Sequence, residues 1–326
     1  MTAFLSAAEK VLVLASSRAT RDGKVVTYFS HAAVRHESLP EAPFVRVLEF
    51  RQTAVPLFLE GFVHALRTTE TSEAARALHK AVRGTELYDR ELGMYRLNVP
   101  LGKDPFELGR VGIFSYGWLE NGSIFLHMHY KYVLEMARRG LLEEFYKDWK
   151  DLLVPFQDPR RYGRNILENT SFVASSGYKD KEDRGKAFVA RLSGSTVEFL
   201  HLWSFLLFGE KPFTLKEGAL CLAFRPSLTS ELFSSKARTI HPDGPDAPGV
   251  DLPKDSLAFR FLGRVLVVYH NPGRRDTFGS KAVSPVRHEL SFSDGRQESV
   301  EGSSLPSSLA QAVREERVTR LDVYFG

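Results

Sequence analysis

The sequence predicts an α+β protein in which a helical domain precedes a β-rich domain. Up to about residue 209 apolar residues recur at helical spacing, whereas after Pro212 short β-branched and aromatic segments alternate with turns. The 326 residues are also enough for two domains of ordinary size. We therefore predict a helical domain over residues 1–211 and an antiparallel β-sandwich over residues 212–326.

Composition narrows the class of protein. The 43% hydrophobic and 26% charged content is typical of a soluble globular chain, and no apolar run reaches the about 18 residues of a membrane span. The net charge of +4 is spread without blocks of like charge, which argues against a nucleic-acid partner. The single cysteine, Cys221, excludes an internal disulfide, and we expect neither a metal nor an organic cofactor. The default compartment is the cytoplasm.

The helical domain contains five segments with helical patterns before residue 160: Met1–Ser16, Arg51–Arg67, Ser72–Val82, Tyr130–Arg139 and Leu142–Leu153. Two long loops, Gly109–Ser123 and Arg160–Gly185, lie among them. Loops of this length in a compact domain are usually functional or disordered. The aromatic residues of the first loop argue against disorder.

The segment Phe188–Gly209 is predicted to form the helix around which the domain is organised. Its second half, from Phe199 to Phe208, is apolar on all sides, so we expect it to be buried among other helices. Ser195 and Glu198 have the spacing of a capping box. Small hydroxyl residues and a glycine at a helix start can also hold an oxyanion through unpaired backbone N–H groups. Both interpretations of this start, an ordinary cap and an anion site, stay open.

The β-rich domain begins where the helical period is lost, after Pro212. Gly263 and Asp294-Gly295 mark tight turns. Six segments are predicted to be strands: Ala219–Phe224, Ser256–Phe261, Val265–Tyr269, His288–Phe292, Glu298–Glu301 and Thr319–Phe325.

A second stretch of interest is Asn121–His127, with the sequence NGSIFLH. Asn-Gly favours a tight turn, and the apolar residues after it should enter the core. His127 and His129 follow, directly before the helix predicted at Tyr130. No third ligand with suitable spacing accompanies the two histidines, so a metal site is disfavoured. A buried structural histidine and a hydrogen-bond donor to an anion are the interpretations left for His127.

Three motifs together resemble the cellobiose-phosphorylase family, glycoside hydrolase family 94. They are NGSIFLH at 121–127, LENTSFV at 167–173 and ARLSGST at 190–196, with the β-rich region after them. In that family an Asn-Gly-Gly-Ile-Phe-Cys-His segment supplies a phosphate-binding histidine. Further along the chain, a Leu-Thr-Gly-Thr-Ala segment opens a helix that binds the same phosphate. Here His127 lies 66 residues before Ser193.

The resemblance covers about Arg51 to the C-terminus and implies an (α/α)6 toroid followed by a β-sandwich. It implies phosphorolysis, with inversion, of a β-glucoside such as cellobiose to an α-sugar 1-phosphate, with inorganic phosphate as co-substrate. It also implies that this chain holds about half of the toroid. We therefore expect the chain to self-associate or to bind the missing half of the barrel, because half a toroid leaves apolar helix surface uncovered.

The resemblance assigns phosphate binding to His127, Ser193, Gly194, Ser195 and Thr196, and sugar binding to Glu168, Glu120, Arg191 and Trp118. The family's general acid is the aspartate of an Asp-Trp-Asn-Asp segment before the histidine motif. Asp148-Trp149-Lys150-Asp151 comes after His127, and Trp149 belongs to an apolar helix face, so we expect both aspartates to face solvent. Glu168 is the one candidate acid in the chain. We expect an incomplete phosphorylase that binds phosphate but turns over little substrate.

Two alternatives to the incomplete phosphorylase remain. The chain is either a carbohydrate-binding or structural module that keeps the cleft without chemistry, or a glycoside hydrolase of toroid type. The hydrolase needs two carboxylates about 6.5–9.5 Å apart, and its water nucleophile needs no anion site.

Overall fold

The computed structural model describes residues 2–21, 24–41, 43–102, 105–189, 193–242 and 244–326. They divide into two compact units, Met1–Leu200 and His201–Gly326. Helices dominate the first unit and strands the second, which confirms the α+β class. The division falls inside the helix that begins at Ser193.

The helices of the first unit are α1 (Thr2–Ala19), α2 (Leu59–Thr68), α3 (Ser72–Arg83), α4 (Leu126–Arg138), α5 (Leu142–Leu152), α6 (Pro159–Tyr162) and the first turns of α7 (Ser193–Phe208). Short 3-10 helices cover Pro105–Ile113, Val154–Phe156 and Lys181–Asp183. The strands form antiparallel pairs, β1 (Thr20–Arg21) with β2 (Lys24–Val25), β3 (Phe29–Ser38) with β4 (Val45–Ala54) and β5 (Tyr88–Asp89) with β6 (Met94–Tyr95). A three-stranded sheet contains β7 (Ile124–Phe125), β8 (Phe172–Val173) and β9 (Ala187–Phe188).

Helix α4 lies at the centre of the first unit's core. Ten of its thirteen residues are buried, and α2 and α5 pack against it with the apolar faces that their sequences predict. Its one buried acid, Glu135, is compensated by Arg67 at 2.7 Å and Arg138 at 3.0 Å. A buried carboxylate needs such partners because its transfer from water is costly. The core therefore fixes α4 rigidly, and with it the side chains at the start of that helix.

The prediction of a helix over Arg51–Arg67 is wrong in its first part. Residues up to Ala54 belong to strand β4, which pairs with β3 from Phe29↔Ala54 onward, and the helix begins only at Leu59. Val55 and Phe58 are buried in the extended segment between them. The apolar spacing there is compatible with both structures, and a strand pairing more than twenty residues away decided it.

Helix α1 and the β3–β4 hairpin expose most of their side chains. No residue of α1 is buried, and Phe4 is 74% exposed, Val11 66% and Phe50 of the hairpin 58%. Self-association would cover such residues, and it stays a prediction. Within the described ranges, no helix combines the length and the apolar character needed to cross a membrane.

Two further helix predictions are confirmed and two are corrected. α3 and α5 lie where expected. α4 begins at Leu126, four residues before the predicted start, so His127 and His129 belong to its first turn. α7 begins at Ser193, which places Ser195 inside the first turn and not at the N-cap of a capping box.

The second unit contains the end of α7, a short 3-10 helix at Ser230–Leu232, and α8 (Ser307–Arg314). Its strands are β10 (Phe213–Lys216), β11 (Ala219–Leu222), β12 (Arg238–Ile240), β13 (Val250–Leu252), β14 (Ser256–Phe261), β15 (Val265–His270), β16 (Pro285–Phe292), β17 (Gln297–Glu301) and β18 (Val318–Phe325). β10 pairs with β11, β12 pairs with β13, and the others form a sheet in the order β14-β15-β18-β16-β17. This sheet is mixed and not wholly antiparallel, because β15 and β18 run parallel.

Aromatic side chains fill the core of the second unit. Phe224, Phe259 and Phe325 surround Tyr269, whose hydroxyl donates to the carbonyl of Leu207 at 2.7 Å. The prediction that α7 is buried among helices needs correction here. Its last residue, Phe208, packs against Phe259 and Phe261, which are strand residues. An apolar helix surface can be buried against a sheet as well as against other helices.

Candidate functional site

The predicted anion-binding residues come together at the starts of α4 and α7. His127 is the second residue of α4, and its imidazole faces Glu198 of α7, with Nε2 and Oε1 3.7 Å apart. Lys131 lies one turn further along α4 and reaches the same carboxylate, with an Nζ–Oε1 distance of 3.9 Å. Two basic groups therefore share one face of α4 and converge on the first turns of α7.

Gly194 lets the start of α7 approach the imidazole closely. A Cβ placed on Gly194 would lie 2.6 Å from His127 Nδ1 and 2.8 Å from its Cγ. Real Cβ atoms do not make such contacts, so no larger residue fits while both backbones stay in place. The ring thus lies against the turn in which backbone N–H groups have no intrahelical acceptor. His127 and the start of α7, 66 residues apart in the sequence, are therefore in direct contact.

The other residues assigned to phosphate differ in exposure. Ser193 and Thr196 are exposed, and the Thr196 hydroxyl accepts a hydrogen bond from Asn169 Nδ2 at 3.1 Å. Ser195 is fully buried. Of the assigned hydroxyls, those of Ser193 and Thr196 are therefore the accessible ones.

Burial and the charge of Lys131 both lower the pKa of the His127 imidazole, while Glu198 acts in the opposite direction. Near neutral pH the ring is therefore mostly uncharged, since the ordinary histidine pKa is already about 6.5. An anion placed beside it would favour the protonated form. The charge of this site thus depends on pH and on whether an anion is bound.

His129 has a structural role. It is fully buried, its Nδ1 accepts the backbone N–H of Tyr95 at 3.2 Å, and its Nε2 donates to the carbonyl of Leu152 at 2.9 Å. Burial lowers its pKa to about 4, so the ring is neutral and ties α4 to strand β6 and to the end of α5. Within the described residues, no group of three or more potential ligands could hold a metal ion.

The Asn-Gly turn before α4 is held by a second asparagine that the motif does not contain. Asn98 Nδ2 donates to Asn121 Oδ1 at 3.2 Å, and Asn98 Oδ1 accepts the N–H of Gly122 at 2.9 Å. Asn121 Nδ2 in turn donates to the carbonyl of Phe114 at 2.8 Å. Both asparagines are buried and satisfied, so this motif is explained by the local fold.

A cavity of about 450 Å³ lies beside the His127 cluster in the first unit. Phe125 joins the two, because it lines the cavity and its ring meets that of His127 edge to face at 5.6 Å. The walls carry aromatic and aliphatic groups and two carboxylates, Glu60 and Glu120. Such a mixture of apolar walls with a few polar groups is typical of small-molecule sites.

Each of the two cavity carboxylates already accepts hydrogen bonds. Tyr28 donates its hydroxyl to Glu60, and burial and this carboxylate together raise the pKa of Tyr28 to about 12. Arg110 contacts both oxygens of Glu120, at 2.6 and 2.7 Å. Both carboxylates are therefore already engaged by hydrogen-bond donors of the chain.

The residues assigned to sugar binding do not all meet at this cavity. Glu120 lines it, whereas Glu168 and Trp118 do not. Glu168 forms a partly exposed pair with Arg164 at 2.7 Å, and Trp118 stacks on Phe188 with ring centroids 3.7 Å apart. Arg191 lies outside the described residues.

Trp118 is part of a row of stacked rings on β7, β8 and β9. The row runs Phe125, Phe172, Phe188, Trp118 and Tyr178, with successive centroid distances of 4.7, 5.6, 3.7 and 5.0 Å. Its internal stacking accounts for Trp118 as a structural residue.

Asp148 and Asp151 differ in environment, against the expectation that both face solvent. Asp151 is exposed. Asp148 is only 16% exposed and forms an ion pair with Arg83 of α3. The pair ties α3 to α5, so Asp148 is a structural residue and no substitute for the missing acid.

Three residues near the site escaped sequence reasoning. Lys131 could have been found, because it lies four residues after His127 on a predicted helix. Glu60 and Tyr28 could not, since only the packing of α2 against the segment before β3 brings them to the cavity.

No protein-family model matches this chain, and no curated protein matches it either.

Proposed function

We propose that this chain binds phosphate at the cluster of His127, Lys131 and the start of α7. The approach of Gly194 to the imidazole is the observation that carries the proposal. It supports a shared ligand site because two motifs 66 residues apart meet without a side chain between them. Helix α7 has 16 residues, so its first turn carries the full partial charge of a helix N-terminus.

The roles divide among the residues as follows. Lys131 supplies a permanent positive charge, and His127 supplies a hydrogen bond that gains a charge when the ring is protonated. The N–H groups of the first turn of α7 donate to the anion oxygens. Glu198 holds the two cationic side chains together while the site is empty and competes with an incoming anion.

The cavity beside the cluster extends this proposal to a sugar. Glu120 and Glu60 would accept hydrogen bonds from sugar hydroxyls, and the aromatic walls would cover the apolar faces of the ring. Phosphate at His127 and a glucoside in the cavity are the two reactants of a glycoside phosphorylase, the activity that the motifs resemble. We propose that Glu168 acts in positioning, because it is not among the described residues that line the cavity.

Phosphorolysis of a glycoside also requires a general acid, and the described residues of this site do not supply one. Departure of a sugar alkoxide at neutral pH depends on a positioned proton donor, worth typically 10²–10⁴-fold in rate. Glu60, Glu120 and Glu168 each accept a hydrogen bond from a tyrosine or arginine. We propose that the chain binds phosphate and a β-glucoside but turns cellobiose over negligibly.

A hydrolase is the second candidate, because Glu60 and Glu120 line one cavity. Inverting glycoside hydrolases use two carboxylates, one of them protonated. Tyr28 and Arg110 already engage these two carboxylates, which argues against a free pair of catalytic carboxylates here. Release of glucose without any dependence on phosphate would favour the hydrolase.

The fold expected of the family is part of the same proposal. We propose that α2, α3, α4 and α5 belong to an (α/α)6 toroid, supported by their packing around α4. We propose a β-sandwich for the second unit. Leu252 of the small β12–β13 sheet packs on Leu266 and Val268 of the five-stranded sheet, which supports two layers.

Calorimetric titration with phosphate tests the proposed function. We expect His127→Ala to remove one binding site and the stabilisation that comes with it, about 2.7 kcal/mol at a ligand concentration of 100 times Kd. His36→Ala is the matched control, because His36 is exposed on strand β3. An unchanged number of sites in the His127→Ala variant would contradict the proposal. Cellobiose with phosphate, assayed for α-glucose 1-phosphate, tests the predicted lack of turnover.

A further inference from the structure

A separate cavity of about 270 Å³ lies within the second unit. It is bounded by the end of β10, the segment after β11, the start of β16 and the turn before α8. Phe224, Val283 and Pro285 supply apolar wall. This volume is slightly below the about 300 Å³ at which small-molecule sites usually begin, so it suits a ligand no larger than one sugar ring with a phosphate group.

Among the described residues, the charge at this cavity is entirely positive, because Lys216 and Arg225 are the only ionisable groups that line it. Neither forms an ion pair with any residue that the structure describes. Six other arginines of this unit do pair with carboxylates: Arg264, Arg274, Arg287, Arg296, Arg317 and Arg320. Two uncompensated cations at one cavity repel each other, and an anion would relieve that repulsion.

Hydroxyl groups complete the lining. Ser284, Ser303 and Ser304 face the cavity and form no side-chain hydrogen bond with another described residue. The fourth hydroxyl, that of Thr277, is already engaged, because it donates to the carbonyl of Pro226 at 2.8 Å and accepts the N–H of Leu228 at 2.7 Å. Three hydroxyls therefore remain for a ligand with donors and acceptors of its own.

The backbone around these groups is fixed by hydrogen bonds. Arg225 N–H donates to the carbonyl of Phe208 at 3.2 Å, and Ala223 N–H donates to that of Pro212 at 2.9 Å. Leu305 N–H donates to the carbonyl of Leu222 at 2.8 Å, which holds the Ser303–Ser304 segment beside β11. The backbone that carries Arg225, Ser303 and Ser304 is therefore held in place before a ligand binds, while their side chains remain available to the ligand.

From these groups we propose that the cavity binds a phosphate monoester of monosaccharide size. Lys216 and Arg225 would hold the phosphate, to which a guanidinium can donate two parallel hydrogen bonds. The serine hydroxyls would contact the hydroxyls of the sugar. The proposal is independent of the proposed function, since it uses no residue of the first unit.

Glucose 6-phosphate is the probe, titrated calorimetrically into the His127→Ala variant so that the first site does not contribute. We expect one binding event that Arg225→Gln and Lys216→Gln each weaken at least tenfold, as expected for the loss of a charge-assisted hydrogen bond. Arg225→Lys should weaken binding less than Arg225→Gln, because it keeps the charge. Lys236→Gln is the control, since it removes an equal charge from the same unit outside the cavity.

Three results would overturn the proposal. They are unchanged binding in the variant that carries both glutamines, an equal loss in Lys236→Gln, and binding of inorganic phosphate as tight as that of glucose 6-phosphate. Both cationic side chains are exposed, so the substitutions leave the fold intact, and a circular dichroism spectrum verifies this. Loss of phosphate binding in the first unit alone would leave these titrations unchanged, so failure of either proposal can be recognised separately.

Discussion

The two candidate anion sites differ in the type of their basic groups and in whether a nearby carboxylate balances them. At the start of α4 the cationic groups are a titratable histidine and a lysine, and Glu198 already faces both. In the second unit the cationic groups are Lys216 and Arg225, and none of the carboxylates that the structure describes lines their cavity. The first site therefore keeps its charges balanced without a ligand, while the second remains unbalanced until a ligand arrives.

This difference predicts different binding behaviour. An internal carboxylate stabilises the empty protein but must be displaced or screened when an anion binds. A titratable donor adds a dependence on pH that lysine and arginine cannot have in the physiological range. Substitutions at the first site should thus alter stability and pH response together, whereas those at the second should alter affinity alone.

Gly194→Val should have the largest effect. The added methyl groups would overlap the imidazole of His127, and overpacking of this kind typically costs about 1–3 kcal/mol of unfolding free energy. We expect phosphate binding in the first unit to be lost and the second site to be unaffected. Urea unfolding and calorimetric titration measure the two effects.

The control for that variant is Gly273→Val. A Cβ on Gly273 would come no closer than 3.5 Å to any neighbour, and the residue is exposed. Similar losses of stability in the two variants would contradict the idea that Gly194 is required for the contact with His127.

The second prediction concerns pH, with sulfate as a probe because its charge does not change between pH 5 and 8. The pKa of free His127 is lowered, and a bound anion raises it, so protonation and binding reinforce each other. We expect affinity at the first site to increase as pH falls, on the order of tenfold for one unit of pKa change on binding.

His127→Ala should abolish this slope, and sulfate binding at the Lys216 and Arg225 cavity should not vary with pH over the same range. Linkage acts in the opposite direction on the empty protein. Since the folded pKa lies below the unfolded value of about 6.5, His127 contributes stability above that pH and loses it as pH falls. If anion binding at the first site did not depend on pH, His127 would not be one of the anion-binding residues.

The smallest effect is expected for Glu198→Gln, which removes the competing carboxylate. Partly exposed ion pairs are worth about 0.2–1 kcal/mol, so phosphate should bind about 1.4- to fivefold more tightly at pH 8. Glu316→Gln, which breaks the exposed pair with Arg264 in the second unit, should leave the affinity unchanged. Weaker binding in Glu198→Gln would mean that Glu198 positions the cations and does not compete with the anion.

Sequence reasoning succeeded where the pattern is local and strong. α3 and α5 have clear apolar faces, and β14 has the predicted bounds because its strand residues end at the turn around Gly263. It failed at Arg51–Ala54, where helical spacing and strand alternation overlap and the β3–β4 pairing decided the structure. For the site, the motif pair of His127 and Gly194 was predictable, but the division of the sugar-binding residues was not.

The sequence by itself determined the order of the two regions and the residues of most helices and strands. These properties depend on apolar periodicity, turn residues and residue type, which are local. The pairing of the two motifs around His127 was an implication of the family resemblance. Only the tertiary structure decided which charges face each other. Whether Glu198 compensates His127 and Lys131, or whether Lys216 and Arg225 stand uncompensated, depends on distances between segments far apart in the chain. Those distances are set by the packing of α7 on α4 and of the strands around Tyr269, which no local pattern encodes.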